Sequence, residues 1–599
     1  MAENSKPENN NRTSGNNRKD LTRGSILDKV LLFAIPLMLT SMLQQLFNAT
    51  DVAVVGRFAS KEAMAAVGGN ASVVSLLVNF FTGLSVGANV VIAKNIGARR
   101  PGQARKAVYT SMVLALICGL FIAVAGNLIA GPIVRLMGVP EEVAPYSVQY
   151  LRIYFGGAPF IMLYNFEAAI FRSNGNTRTP LICLFIGGVF NVAANLIFVI
   201  VLKMDVDGVA IATVMANAIS SMLLLHKLRK EEGFIRVRVT KLWLDKPILM
   251  QIIRIGLPAA LQSTVFSISN LCVQSAVNSL GPDVMAASSA AFNIEIFVFF
   301  VVNAFTQTLV TFVGQNYGAS EYKRCRDVVR KTLLVSWVFT MVVSIITILT
   351  VNSLMGLFTD EPAIVEIGAL RVRILMYGET LNVIMDNLSG ALRGLGKSMI
   401  PAVISFIGVC GTRITWVFTG FQIYHTFFSL MLVFPISWGV SALVIAIMLI
   451  RTRNKMLPVS AAFFVRFSFD FVYHVYTGEY QDDADDAYRS ERLFQEDSSG
   501  KYGYDRCYIG QHCDAAHLEH GRGIVKAEEC DDRAYDGKEQ DRQDDVFILH
   551  CGYHGREEIP SFTYYCASRE CDEAHHHHDE GPLERREDIR DRAAQHCEE

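Results

Sequence analysis

The sequence predicts an all-α polytopic membrane protein, with twelve transmembrane helices arranged as two six-helix lobes that form a parallel internal repeat. Three observations support this class. From Ile26 to about Ile450 the chain is a series of apolar segments, each long enough to cross a hydrocarbon core of about 30 Å. Lys and Arg collect in every second loop between these segments, and the two halves of the region repeat each other in sequence.

The composition limits the partners that we expect. Of the 599 residues 51% are hydrophobic and 19% are charged, with a formal net charge of −2. No basic patch interleaved with aromatic residues occurs outside the membrane-flanking loops, so nucleic acid is excluded as an expected partner. We expect a monomer that contacts membrane lipids and small molecules.

The twelve spans follow one another along most of the chain. Their predicted ranges are 26–49, 63–94, 107–131, 145–171, 180–202, 207–228, 247–280, 284–315, 328–357, 364–392, 399–421 and 426–451. The loops after even-numbered spans are rich in Lys and Arg, and those after odd-numbered spans are short and acidic or neutral. Because positively charged loops stay in the cytoplasm, both ends of the membrane region are predicted to be cytoplasmic.

These spans define the predicted domains. Residues 1–24 are rich in Asn, Lys and Arg without an apolar core, which predicts a disordered cytoplasmic leader and not a signal peptide. The N-lobe covers 25–228 (spans 1–6), a cytoplasmic linker covers 229–246, and the C-lobe covers 247–455 (spans 7–12).

Span 1 contains the first functional candidate. Thr40, Gln44, Asn48 and Asp51 recur at i, i+4, i+8 and i+11, and so form one polar stripe on an apolar helix. An ionised Asp at membrane depth costs roughly 2.5–3.5 kcal/mol, so such a group normally faces a bundle interior or an aqueous cavity. The alternative is that Asp51 lies just beyond the hydrocarbon as a solvated loop residue.

The internal repeat predicts a transporter. A shift of 221 residues places Asn95 on Asn316 and Gly97 on Gly318. Six spans separate equivalent points, so the halves share one orientation and are related by an axis along the membrane normal. The substrate path of such parallel repeats lies at the interface between the halves, as in alternating-access transporters.

Short motifs in both halves resemble those of the multidrug and toxic-compound extrusion (MATE) family, over about residues 25–455. The motifs are the IP and LP pairs near the starts of spans 1 and 7, the Asp late in span 1, the NxGA turns after spans 2 and 8, and the turns RSNGNTRTP (172–180) and RGLGKSMIP (393–401) after spans 4 and 10. The resemblance implies a multi-pass transporter of the plasma membrane and not an enzyme.

The resemblance also implies which residues act. Asp51 stands where MATE proteins carry a cation-coupling Asp, with Asn48, Asn191, Asn195 and Thr213 beside it in the N-lobe. Many members have Asp where this chain has Asn195, so Asp51 is expected to be the sole carboxylate of that pocket. It could be protonated alone, or could bind Na⁺ together with amide and hydroxyl oxygens. For the Asn and Thr residues the alternative is hydrogen bonding between helices.

A polar face in the C-lobe is the second candidate region. We expect a cationic substrate to contact this face and part of the N-lobe. The residues are Gln44 and Asn217 in the N-lobe, and Asn270, Gln274, Glu295, Glu379, Asn382 and Asp386 in the C-lobe. Alternatively, Glu379 or Asp386 neutralises Arg413, an intramembrane cation on span 11 that requires a partner.

No resident cofactor is expected, and the coupling ion is H⁺ or Na⁺. The segment ALRGLGKS (391–398) resembles a phosphate-binding loop, but Ala391 replaces the first Gly and the segment follows an apolar helix. We therefore predict a secondary antiporter that exports cationic or amphipathic small molecules by alternating access. A flippase for a lipid-linked precursor is the first alternative.

Residues 456–599 differ from the rest of the chain. Seven of the twelve Cys and eleven of the thirteen His lie there, without a sustained apolar period. The spacings fit no zinc-site template, which favours a disordered or out-of-frame segment. The alternative is a metal-binding domain, which would make the chain a metal-sensing membrane protein.

Overall fold

The computed structural model describes residues 20–231, 233–238, 242–451, 547–552 and 561–566. The chain divides into two compact units, Met1–Gly500 and Lys501–Glu599. The first unit contains the helices. These are Ile26–Phe58 (span 1), Lys61–Gly97 (span 2), Pro101–Leu136 (span 3), Ala144–Gly156 and Ala158–Ser173 (span 4), Arg178–Leu196 with the π-helical Ile197–Val201 (span 5), Val206–Lys230 (span 6), Lys246–Asn278 (span 7), Pro282–Gly318 (span 8), Tyr322–Met355 (span 9), Pro362–Gly394 (span 10), Met399–Ser405 with the π-helical Phe406–Gly411, Thr412–Phe418 and Gly420–Tyr424 (span 11), and Phe427–Arg451 (span 12).

The predicted all-α architecture with twelve spans is confirmed. Ten helices in the described part of the chain are long and apolar enough to cross a membrane. Spans 4 and 10 are not among these ten helices, and the reason differs between them. Span 4 is broken at Gly157, and span 10 carries charged side chains that are buried inside the C-lobe, among them Arg371 and Glu379.

Local sequence explains where several helices begin. The Ser60 hydroxyl accepts a hydrogen bond from Ala63 N–H at 3.1 Å and caps span 2. The Asp245 carboxylate caps span 7 in the same way through Ile248 N–H, at 3.2 Å. Asp245 also pairs with Lys106 at 3.0 Å, and this hydrogen bond and charge hold the pKa of Asp245 below its ordinary value. Such caps satisfy backbone donors that the first helical turn leaves open.

The two lobes exchange parts of their first spans. The first half of span 1, including Val30 and Leu37, belongs to the apolar core of spans 8–12. The first half of span 7, including Ile248 and Ile252, belongs to the core of spans 2–6. Later in span 1, Val54 and Val55 return to the core of the N-lobe. Spans 1 and 7 therefore connect the lobes at one end of the bundle.

We call that end the basic end, because it carries the Arg- and Lys-rich loops after the even-numbered spans; the opposite end is the acidic end. The lobes meet closely at the basic end. Asn89 Nδ2 donates to Thr311 Oγ1 across the interface at 2.9 Å. A Cβ atom on Gly97 would lie 1.9 Å from the carbonyl oxygen of Gln315, and one on Gly318 would lie 2.0 Å from that of Lys94. Backbone contact this close requires glycine.

Spans 2 and 8 show that the lobes separate towards the acidic end. Residues 83–93 of span 2 are buried, whereas many residues between 64 and 79 are exposed. In span 8 residues 301–316 are mostly buried, and many between 282 and 300 are exposed. This arrangement is closed at the basic end and open at the acidic end.

The end of the predicted disordered leader packs against this closed interface. Residues 1–19 lie outside the described residues, but Leu21 is only 2% exposed and joins the core of the C-lobe. Its N–H donates to Gln315 Oε1 at 3.4 Å, and its carbonyl accepts from Asn316 Nδ2 at 3.4 Å. Gln315 also donates to the carbonyl of Ser173 in the N-lobe, at 2.6 Å. Leu21 and Gln315 therefore help to join the lobes.

The second unit contains one antiparallel strand pair, β1 (Phe547–Gly552) and β2 (Ser561–Cys566). Phe547 pairs with Cys566, and Gly552 with Ser561. No strand is predicted here from the sequence, but the β-branched and aromatic residues of these short runs favour one. The remainder of the predicted disordered segment 456–599 lies outside the described residues.

The close approach at Gly97 leads to the first testable prediction. Gly97→Ala should prevent full closure of the basic end, because the new methyl group would overlap the backbone at Gln315. We expect amide hydrogen exchange in peptides covering 88–98 and 308–318 to accelerate severalfold, as measured by mass spectrometry. Gly102→Ala is the matched control, since nothing lies within 4 Å of its added Cβ. Equal exchange in both variants would contradict the proposed closure.

Candidate functional site

Asp51 lies at the centre of a hydrogen-bonded network in the N-lobe. Its side chain is only 6% exposed. Asn195 Nδ2 donates to Oδ1 at 2.5 Å, and Thr213 Oγ1 donates to Oδ2 at 3.0 Å. Asn191 completes the network: it donates to Thr213 Oγ1 and accepts from Asn195 Nδ2, both at 3.3 Å. The solvated-loop alternative for Asp51 is therefore wrong.

Two adjacent glycines bring these side chains together. At Gly188 an added Cβ would lie 1.8 Å from the ring of Phe47, so span 1 packs directly on the backbone of span 5. At Gly187 it would lie 2.0 Å from Ser220 Oγ, so span 6 does the same. Span 5 therefore lies close to spans 1 and 6, and its π-helical turn begins two residues after Asn195. Such turns occur often at functional sites.

The groups around the Asp51 carboxyl are neutral. No Lys, Arg or His lies within 4 Å of it in the described part of the chain. Tyr150 and Tyr154, whose rings stack at a centroid distance of 6.2 Å, are buried within electrostatic range of it. A carboxylate with only neutral donors can gain a proton or bind a cation without first breaking an ion pair. The oxygens of Asn191, Asn195 and Thr213 are hard ligands of the kind that a small metal cation prefers.

Other predicted N-lobe residues lie at the edge of this network. Asn48 and Gln44 are exposed and make no hydrogen bond that the structure records. Asn48 precedes Asp51 by three residues, which places the two about 60° apart around the helix axis. Asn217 donates to the carbonyl of Thr213 at 2.8 Å and so lies one turn further along span 6. The network therefore contains Asp51, Asn191, Asn195 and Thr213, but not Asn48.

In the C-lobe, Glu295 is already paired. Arg371 on span 10 donates to both of its carboxylate oxygens, at 2.8 and 3.0 Å. Arg371 also donates to the hydroxyl of Ser288, and all three side chains are buried. Because its charge is balanced, Glu295 offers a cationic substrate less attraction than an unpaired carboxylate would.

The other predicted C-lobe acids lie on span 10. Glu379 is buried and accepts a hydrogen bond from Asn382 Nδ2 at 2.9 Å. Asp386 is half-buried and interacts electrostatically with Arg393, which donates to Gln262 at 2.9 Å. The two acids therefore have different surroundings although they share one helix.

Arg413 is stabilised mainly by neutral groups. It donates to Ser437 Oγ at 3.1 Å and to Asn270 Oδ1 at 2.7 Å. Its guanidinium lies 4.2 Å from the ring centroid of Phe434, a cation–π distance. Among the described residues no carboxylate lies within ion-pair distance of it, so neutralisation by direct contact with Glu379 or Asp386 is wrong. A longer-range interaction with Glu379 remains.

The two predicted polar residues of span 7, Asn270 and Gln274, make hydrogen bonds within the C-lobe. Asn270 binds Arg413, and Gln274 donates to Asn278 at 2.9 Å on its own helix. The sequence prediction did not include Arg371 and Glu167, which are buried intramembrane ionisable residues of the kind that mark functional or structural sites. Their position deep in predicted spans 10 and 4 is the sequence signal that identifies them. Within the described ranges no group of three or more His, Cys, Asp or Glu is arranged to hold a metal.

The match to a known protein family also divides the chain into two lobes. The family model described as MatE matches residues 36–197 and 258–419, one copy in each lobe. The chain is 27% identical over 400 residues to the probable multidrug resistance protein YoeA of Bacillus subtilis, covering 66% of this chain and 86% of that protein. It is 27% identical over 396 residues to the probable multidrug resistance protein NorM of Thermotoga maritima, covering 65% and 84%.

Solved structures support the fold. A MOP superfamily transporter from Pyrococcus furiosus superposes with a TM-score of 0.67 at 22% identity, over 73% of this chain and 97% of that one. An outward-facing multidrug resistance transporter of the MATE family gives a TM-score of 0.67 at 22% identity, over 73% and 98%.

Proposed function

The chain belongs to the MATE family of multidrug efflux transporters, and from that premise we propose that it is a secondary antiporter which exports cationic or amphipathic small molecules in exchange for H⁺ or Na⁺. The observation that carries the proposal is the buried Asp51 carboxyl, which has only neutral hydrogen-bond donors around it. The relatives are named as probable multidrug resistance proteins, and this similarity supports the proposal that the chain exports drugs.

In this proposal the protein spans the plasma membrane, with its basic end on the cytoplasmic side. The described arrangement is then open to the outside, and Asp51 lies in the outer part of span 1. A coupling cation from outside reaches Asp51 and changes the charge of the N-lobe. A ligand shifts a conformational equilibrium only through its different affinity for the two states. The cation must therefore bind the state that is open to the cytoplasm more tightly than the state that is open to the outside.

The same residues explain how the substrate leaves. With Asp51 unoccupied, its negative charge attracts a cationic substrate to the polar face that Gln44 and Asn48 extend. When the coupling cation binds, that attraction disappears and the substrate is released to the outside. Glu379 and Asp386 supply the C-lobe side of the substrate path, whereas Glu295 is held by Arg371.

A flippase for a lipid-linked precursor is disfavoured by the charges of the described residues. Such a substrate carries pyrophosphate, which requires free Arg or Lys side chains in the path. Among the described residues, the two buried Arg side chains, Arg371 and Arg413, are instead engaged by Glu295 and by Asn270 with Ser437.

The test is dye efflux from proteoliposomes under an imposed gradient. The full chain, reconstituted in lipid vesicles, should move ethidium faster under an inward-directed H⁺ or Na⁺ gradient than without one. The ion whose gradient accelerates efflux is the coupling ion. A chain ending at Lys455 is run beside it and should keep the activity, because the residues that carry the proposal all precede that point.

Two outcomes would contradict the proposal. Absence of gradient-driven movement of any cationic dye, with protein that remains monodisperse and folded, would remove the export function. Loss of efflux in the chain ending at Lys455, together with stoichiometric zinc binding by the full chain, would favour the metal-sensing alternative.

A further inference from the structure

Glu167 on span 4 is a second buried carboxyl in the N-lobe, separate from the Asp51 network. Its side chain is 0% exposed. Oε2 accepts a hydrogen bond from Ser221 Oγ at 3.0 Å, and Oε1 has no hydrogen-bond partner. In the part of the chain that the structure describes, no Lys, Arg or His lies within 4 Å of it. An unpaired carboxylate at membrane depth is costly, and a carboxyl in this position normally avoids the cost by holding a proton.

The titratable groups near Glu167 do not supply a counter-charge. Tyr164 on the same helix and Cys183 on span 5 interact with it electrostatically, and neither is a cation. The Tyr164 hydroxyl is also buried without a hydrogen-bond partner. Arg172 interacts with Tyr164, and Lys227 interacts with Cys183. Arg172 follows Glu167 on span 4 and Lys227 follows Ser221 on span 6, so both cations lie nearer the basic end. Spans 2 and 3 contribute no ion-pair partner among the described residues.

A polar face of span 6 connects this carboxyl to Asp51. Thr213, Asn217 and Ser221 recur at i, i+4 and i+8, which places them on one face of the helix. With a rise of 1.5 Å per residue, Thr213 and Ser221 lie about 12 Å apart along the axis. The first binds Asp51 and the last binds Glu167, and Asn217 donates to the carbonyl of Thr213 between them. We call these three residues the polar ladder.

We propose that Glu167 is a second proton-binding site of the N-lobe, at the basic end of the polar ladder, and that it releases protons to the cytoplasm. Its part in transport rests on the proposed antiport, with H⁺ as the coupling ion. When the basic end opens, the O–H bond at Glu167 breaks and the proton passes to a cytoplasmic water molecule. The carboxylate that remains keeps the hydrogen bond from Ser221. The O–H bond at Asp51 then breaks, and water molecules along the polar ladder carry the proton that Asp51 had taken from outside to the Glu167 carboxylate, where a new O–H bond forms.

The direct test is infrared difference spectroscopy of the full chain in lipid as the pH is varied. A protonated carboxyl gives a C=O stretching band that an ionised carboxylate lacks. Glu167→Gln should remove one such band, and Ser221→Ala should shift it, because the hydrogen bond from the hydroxyl is lost. Ser111→Ala is the matched control: this buried hydroxyl on span 3 donates to the carbonyl of Ala107 on its own helix and should leave the band unchanged. A Glu167→Gln spectrum identical to that of the wild type at every pH would overturn the proposal.

Transport assays separate this proposal from the antiport function. Under an H⁺ gradient, ethidium efflux by Glu167→Gln should fall at least tenfold, with a pH profile that no longer follows the infrared titration of the wild type. Ser111→Ala should transport normally. If Glu167→Gln keeps wild-type efflux and pH profile, the proton-release role is wrong while antiport stands. If the wild type itself moves no dye, antiport is wrong, and the infrared band alone decides whether Glu167 binds a proton.

Discussion

Asp51→Asn should reduce gradient-driven dye efflux by on the order of 100-fold, a rate change of ~2.7 kcal/mol. Asn has nearly the same shape as Asp, so packing against span 5 is kept. The Asn side chain cannot take up a proton or carry a negative charge. The variant therefore lacks the group that binds the coupling cation. The oxygens on Asn191, Asn195 and Thr213 remain, but none of them is titratable near neutral pH. The measurement is ethidium efflux from proteoliposomes under the gradient that drives the wild type.

The control is Asp283→Asn, which removes an exposed carboxylate at the start of span 8. This variant should transport at close to the wild-type rate, since Asp283 lies far along the chain from the Asp51 network and makes no contact with it in the structure. Thermal melting of both variants establishes that they are folded. Efflux by Asp51→Asn within twofold of the control would remove the main observation on which the antiport proposal depends.

Arg371→Leu should produce the largest loss of stability, about 3–5 kcal/mol in the free energy of unfolding. The substitution leaves the Glu295 carboxylate buried with no counter-charge, and it leaves the Ser288 hydroxyl without its donor. Desolvating an unpaired charge is the reason for the cost. The measurement is denaturant or thermal unfolding of the purified protein in detergent.

Two further variants distinguish a charge effect from loss of packing. Arg373→Leu, two residues away and half-buried, should cost far less, because no ion pair of Arg373 is present in the described residues. The double variant Glu295→Leu with Arg371→Leu should recover much of the lost stability, since no unpaired charge remains. If Arg371→Leu is as stable as Arg373→Leu, the buried pair is not what holds spans 8 and 10 together.

The sequence determined the order and type of the helices. Apolar length and helical periodicity are local properties, so spans such as 144–173 and 362–394 could be predicted to within a few residues despite the charges in the latter. The parallel repeat also follows from sequence, because each half keeps its own turns around Gly97 and Gly318. Asp51 could be selected for a local reason as well: a carboxylate deep in a span requires a polar environment.

Only the tertiary structure decided how the charged residues are partnered. Arg371 and Glu295 are 76 residues apart in sequence, and no periodicity within one helix indicates that they meet. Arg413 was expected to need an acid, but packing placed aromatic rings and neutral oxygens around it. Asn48 is not part of the Asp51 network, because the two residues lie about 60° apart around the axis of span 1, Asn48 on an exposed face and Asp51 on a buried one. Partners depend on which helix faces touch, and that is a property of the packed bundle.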